Sequence, residues 1–108
     1  LDTAKELKRR GANKVFICTT FGLFTNGLDK FDEAYEKGYF DKVIVTNLTH
    51  LPPEIYKKPY FVEADMCKFT ASLIDFMNHD VSLSNVMATT EKMHSILEAY
   101  NNRTLFNE

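Results

Sequence analysis

The segment Thr19-Thr20-Phe21-Gly22-Leu23-Phe24-Thr25-Asn26-Gly27 is the first candidate for chemistry. It follows a β-branched apolar run and precedes a helical pattern. In open α/β sheets, ligands gather at the carboxyl ends of the strands. Backbone N–H groups at the start of the following helix can hold an anion there. Gly22 and Gly27 have the GxxxxG spacing of a phosphate loop. Leu28 and Asp29 stand where that loop needs Lys and Ser or Thr, which excludes a nucleotide P-loop. Thr20 and Gly22 remain as candidate substrate contacts. The plain alternative is a strand-to-helix turn capped by Thr25 or Asn26.

Thr46-Asn47 closes a second apolar run and falls on the same sheet edge. Its hydroxyl and amide can touch a substrate; the alternative is a turn closed by an Asx hydrogen bond. Ser82-Leu83-Ser84 lies between the last two helical patterns. Two hydroxyls near a helix start can accept a phosphate together with backbone N–H groups. Alternatively, one of the two is a helix cap.

Other chemistry finds little support. His50, His79 and His94 are scattered, with no Cys or carboxylate at metal spacing. Asp29, Asp32, Glu33 and Glu36 run with Lys30 and Lys37 and read as a solvated helix face. Cys18 and Cys67 sit in apolar stretches and read as buried, reduced thiols.

The elements that must position these residues alternate. Leu1–Arg10 reads as a helix, with Leu1, Ala4 and Leu7 on one face and Gly11 as a left-handed stop. No capping residue precedes it, so the chain is expected to be cut from a longer one. Lys14–Thr20 and Asp41–Thr46 are continuous apolar runs, the pattern of strands buried on both faces. Between them Leu28, Phe31, Ala34 and Tyr35 resume helical spacing, up to Gly38. Asn47–Pro59 holds three prolines and reads as loop. Tyr60–Ala64 is a third strand, and Asp65 caps the next helix. That helix shows Met66, Phe69, Leu73, Ile74 and Met77 on one face. After a break at Asn78–Ser84, a last helix carries Met93, Ile96, Leu97 and Tyr100. The tail from Asn101 is polar and reads as fraying. The fold class is therefore α/β: about three parallel strands in a partial three-layer sheet, with helices on both faces.

Composition narrows the function. The chain has 108 residues, 13 Lys+Arg, 15 Asp+Glu and a formal charge of −2. That balance argues against nucleic acid or a membrane surface as the main partner. No run of about 18 apolar residues is present to span a membrane, and the N-terminus has no signal-peptide character. A cytoplasmic location is the expectation.

Read in order, four segments resemble the C-terminal part of ribose-phosphate pyrophosphokinase, the phosphoribosyl pyrophosphate synthetase family. They are Ala4-Lys5-Glu6-Leu7-Lys8 with Gly11-Ala12 and Lys14-Val15-Phe16, then Thr20-Phe21-Gly22-Leu23-Phe24-Thr25. Asp41-Lys42-Val43-Ile44-Val45-Thr46-Asn47 follows, and Asn78-His79-Asp80-Val81-Ser82-Leu83-Ser84 completes them. The resemblance implies a type I phosphoribosyltransferase-like domain over residues 1–84 and a helical extension over 85–108. It implies a homo-oligomeric parent that binds ATP and ribose 5-phosphate. With Mg2+, the parent would move the pyrophosphoryl group from the first to the second. The family's phosphate-gripping loop, catalytic Lys and Arg and metal ligands would lie upstream, leaving this chain inactive alone. Ser82 and Ser84 match serines that bind an allosteric nucleotide phosphate in the family. Phe21 stands where the family carries His, which favours a non-catalytic, regulatory relative as the alternative. A receiver-like module is a third reading, but the strand ends here lack its acidic cluster.

Overall fold

The computed structural model describes residues 1–105, which fall into two compact units, Leu1–Cys67 and Lys68–Glu108.

In the first unit, helix α1 (Asp2–Arg9) ends where the glycine stop predicts. Gly11 takes φ 93°, and two amides fold back, Gly11 N–H to Lys8 O and Ala12 N–H to Leu7 O, both at 3.0 Å. This is the Schellman closure, which satisfies carbonyls the helix would otherwise leave open. Helix α2 (Asp29–Glu36) closes identically at Gly38 (φ 70°), through Gly38 N–H to Tyr35 O at 2.8 Å and Tyr39 N–H to Ala34 O at 3.0 Å. The start of α2 differs from expectation. Leu28, not Thr25 or Asn26, holds the N-cap position, and no side chain caps it.

Strands β1 (Phe16–Thr19), β2 (Lys42–Thr46) and β3 (Phe61–Ala64) form one parallel sheet in the order β1-β2-β3. Cys18 pairs with Ile44, Ile44 with Val62, and Thr46 with Ala64. The Pro-containing connection from β2 to β3 is not wholly irregular: Pro53–Lys57 forms a 3-10 helix. Proline suits its first turn because the missing N–H has no partner to lose there.

The sheet is buried on one face only, which corrects the expectation of two covered faces. Val43 and Val45 are buried, as are Ala4, Val15, Leu28, Ala34, Phe40, Leu51, Ile55 and Tyr60 around them. On the opposite face Phe16 is 55% exposed and Val62 40%. The reason lies in the strand order. With strands in sequence across the sheet, right-handed crossovers place both connections on the same side. Cys18 shares the open face, and both Cys18 and Cys67 are free and exposed rather than buried.

Two polar staples hold this unit together. Asp41 Oδ2 accepts the Val15 N–H at 2.8 Å and lies 3.6 Å from Lys8 Nζ. Asp32, expected on a solvated face, is half-buried and accepts from Lys58 Nζ at 2.5 Å and Tyr60 Oη at 2.8 Å. It ties α2 to the approach to β3.

The second unit contains α3, which spans Cys67–Asn78 and so begins at the edge of the first, then α4 (Ser84–Met87) and α5 (Thr89–Leu105). Phe69, Leu73 and Phe76 of α3 are half-buried, whereas Ile74 and Met77 are exposed. Its end repeats the Schellman pattern with Asp80 in the left-handed position (φ 49°), through Val81 N–H to Phe76 O at 3.0 Å. Helix α5 continues through Asn101–Leu105, where a fraying tail is expected. Residues 106–108 of that tail lie outside the described residues.

Candidate functional site

The carboxyl ends of the three strands form one edge, and side-chain hydrogen bonds stitch it together. Thr46 Oγ1 donates to the Thr20 carbonyl, joining β2 to the segment after β1. The same hydroxyl accepts the Leu48 N–H at 3.4 Å. Asn47 then joins β2 to the start of α3. Its Nδ2 donates to Asp65 Oδ1 at 2.8 Å, and its Oδ1 accepts the Met66 N–H at 2.9 Å. Asp65 Oδ1 also accepts the Cys67 N–H at 2.9 Å, which is the helix cap the sequence predicts.

These bonds set the electrostatics of the edge. The Cys67 backbone N–H, the Cys67 thiol and the Asn47 amide hold the Asp65 carboxyl below the usual range, in that order of effect. Hydrogen bonding to Asp65 in turn pushes the Cys67 thiol up. A raised thiol is a poor nucleophile at neutral pH, so Cys67 does not read as a reactive centre.

Two recesses open at this edge, on opposite faces of the sheet. Thr20 and Thr46 line a recess of about 250 Å3 with Cys18, Ile44 and Ala64. Gly22 lines the other, about 300 Å3, with Ile17, Phe24, Phe31 and Val43. Asn47 lines neither of the two. The four nominated residues thus share an edge but not a pocket. Thr46 and Asn47 spend their side chains on the strand ends. Gly22 is buried: a Cβ there would meet Phe24 Cε2 at 2.6 Å and Val45 Cγ1 at 2.7 Å. Its missing side chain makes room for the Phe24 ring. Thr20 is exposed and keeps its hydroxyl available.

Ser82 and Ser84 belong to the second unit. Their hydroxyls are 2.8 Å apart and exposed, and Ser84 N–H lies 3.4 Å from Ser82 Oγ. The pair is brought together at the start of a single-turn helix, of which Ser84 is the first residue.

The sequence reading missed three features here. Asp65 acts as a hub as well as a cap. Thr49 Oγ1, in the turn after β2, is buried with no hydrogen-bond partner among the described residues. Phe24 takes φ 47°, a left-handed conformation that L side chains adopt at a cost. Only a Gly two residues before an aromatic hinted at the last.

No Lys, Arg, Asp or Glu lines either recess. Among the described residues, no group of three or more His, Cys, Asp or Glu is placed to hold a metal ion. No helix there is long and apolar enough to cross a membrane. Comparison with protein families, with curated proteins and with solved structures finds no match to this chain.

Proposed function

We propose that this chain is the C-terminal part of a ribose-phosphate pyrophosphokinase. The whole enzyme would transfer the pyrophosphoryl group of ATP to ribose 5-phosphate, supplying phosphoribosyl pyrophosphate for nucleotide synthesis. The observation that carries the reading is the joined edge. Thr20 and Thr46, from two segments that resemble the family, line one recess at parallel strand ends and share a hydrogen bond. That edge is where open α/β sheets bind ligands. The open sheet face supports a larger type I phosphoribosyltransferase-like sheet with helices on both sides.

Within this reading the chain acts as scaffold. Pyrophosphoryl transfer needs cations or metal at the developing charge. Neither recess is lined by Lys, Arg, Asp or Glu. Those groups would come from the rest of a cytoplasmic homo-oligomer that binds ATP and ribose 5-phosphate. Ser82 and Ser84 would serve its allosteric phosphate.

A second reading is a non-catalytic regulatory relative. Phe21 favours it, because a 57% exposed phenyl ring replaces the family's polar His.

The test is AMP release coupled to ribose 5-phosphate and Mg2+. The parent protein is expected to turn over and the isolated 108 residues are not. A parent that binds both substrates but releases no AMP leaves the regulatory reading standing. Turnover by the isolated chain would overturn the scaffold role.

A further inference from the structure

We propose that the cavity of about 300 Å3 behind the β1–α2 loop binds a neutral, planar heteroaromatic ring. This does not rest on the synthetase reading, because no polyphosphate is asked to enter.

Charge decides the ligand class first. The lining includes no Lys, Arg, His, Asp or Glu. A phosphate or carboxylate moved there would lose its hydration with no counter-charge to replace it. The floor, Ile17, Phe31 and Val43, is apolar. At the loop, Phe21 is 57% and Leu23 68% exposed, so two large apolar side chains stand in water beside the cavity. Covering them would release that hydration.

The polar lining then selects within the neutral ligands. Thr25 and Asn26 line the cavity, and neither side chain has a hydrogen-bond partner among the described residues. An Asn amide presents a donor and an acceptor side by side. The edge of a nitrogen heterocycle presents the complementary pair. An aliphatic ligand, even one with a single hydroxyl, offers no matched donor–acceptor pair to that amide. Size sets the upper limit: ligand pockets run from about 300 to 1,000 Å3. This cavity suits one ring system rather than a whole nucleotide.

The cavity is also formed in advance. Gly22 leaves space that a Cβ would take from Phe24 Cε2 at 2.6 Å and Val45 Cγ1 at 2.7 Å. Phe24 fills that space and packs edge-on against Phe31, with ring centroids 5.2 Å apart. The aromatic wall is therefore in place before any ligand arrives, which lowers the ordering cost of binding.

The experiment uses the 108-residue chain, isotope-labelled, with adenine as the probe and cyclohexanol as an aliphatic counter-probe. Adenine is expected to shift the amide resonances of residues 21–27 with a millimolar Kd, and cyclohexanol is not. Asn26→Ala removes one pair of edge contacts and is expected to weaken adenine roughly threefold to tenfold. Gly22→Ala is expected to displace Phe24 and abolish the shifts. A thermal melt shows whether that variant still folds. If it does not, Asn26→Ala and Phe21→Ala, both at exposed positions, carry the test. The proposal is overturned if adenine shifts no residue of the loop. It fails equally if cyclohexanol binds as well as adenine, or if Asn26→Ala binds adenine like the parent.

Discussion

Asn47 Nδ2 donates to Asp65 Oδ1 at 2.8 Å, so an amide at the end of β2 fixes the carboxylate that starts α3. Asn47 also accepts the Met66 N–H at 2.9 Å, so both ends of its amide are engaged. Asn47→Ala removes these two bonds and the longer one from Nδ2 to Cys67 Sγ at 3.5 Å, and leaves the Met66 amide without its acceptor. The expected loss is about 1–2 kcal/mol in urea unfolding, the size of a lost helix cap. Asn47→Asp is expected to be worse, since it replaces a donor to Asp65 with a like charge. A parent-like midpoint for Asn47→Ala would show that the clip contributes nothing.

Asp32 makes stability depend on pH in a defined direction. The Lys58 ammonium, chiefly, and the Tyr60 hydroxyl hold its carboxyl below the usual range, against partial desolvation. A depressed folded pKa adds stability above the unfolded value and loses it on acidification. The contribution is therefore complete above about pH 4, the ordinary Asp value, and disappears below it. Asp32→Asn should flatten the acid limb of a stability-versus-pH curve. At neutral pH it should cost about 1–2 kcal/mol, reduced by the solvent that reaches the pair. An unchanged acid limb would remove Asp32 from the account.

Asp80 closes α3 at φ 49°, where Gly11 and Gly38 close α1 and α2. A carboxylate there also faces the negative end of the helix dipole. Asp80→Gly removes the Cβ strain and the charge, against some loss of chain entropy. The expected gain is about 0.5–1 kcal/mol, read as a higher midpoint for loss of helical circular dichroism. A lower midpoint would mean that Asp80 makes a contribution beyond the cap.

Cys67 is exposed, yet hydrogen bonding to Asp65 raises its thiol pKa. Asp65→Asn takes away the negative partner and should increase the thiolate fraction at neutral pH. Alkylation of Cys67 by iodoacetamide, followed by mass spectrometry, should speed up in that variant. Equal rates in parent and variant would sink the assignment.

How far the sequence was readable depended on the range of the interaction. Gly11 and Gly38 announced two helix ends because a Schellman closure is complete within six residues. Asp80 hid the third, since an Asp in that position looks like ordinary loop. Asp65 was readable as a cap because its partner amide is two residues away. Asp32 was not, because Lys58 and Tyr60 are 26 and 28 residues off and only the fold brings them near. The apolar runs through Phe16 and Ile44 identified strands correctly. They also predicted cover on both faces, which the sheet does not have, since a continuous apolar run looks alike whether one face or two are covered. At the candidate site, Thr20 and Thr46 were legible as sharing an edge. That Asn47 and Gly22 serve the packing of that edge was not, because both roles depend on neighbours distant in sequence or on the exact room around a ring.

The open face of the sheet has a thermodynamic consequence. Phe16, Cys18 and Val62 are already in water in the folded chain. The heat-capacity increment of unfolding comes mainly from newly wetted apolar surface, about 12–15 cal/mol/K per residue in ordinary domains. Calorimetry on this chain should give less than that per residue. Its stability curve should then bend less with temperature, with a shallower maximum.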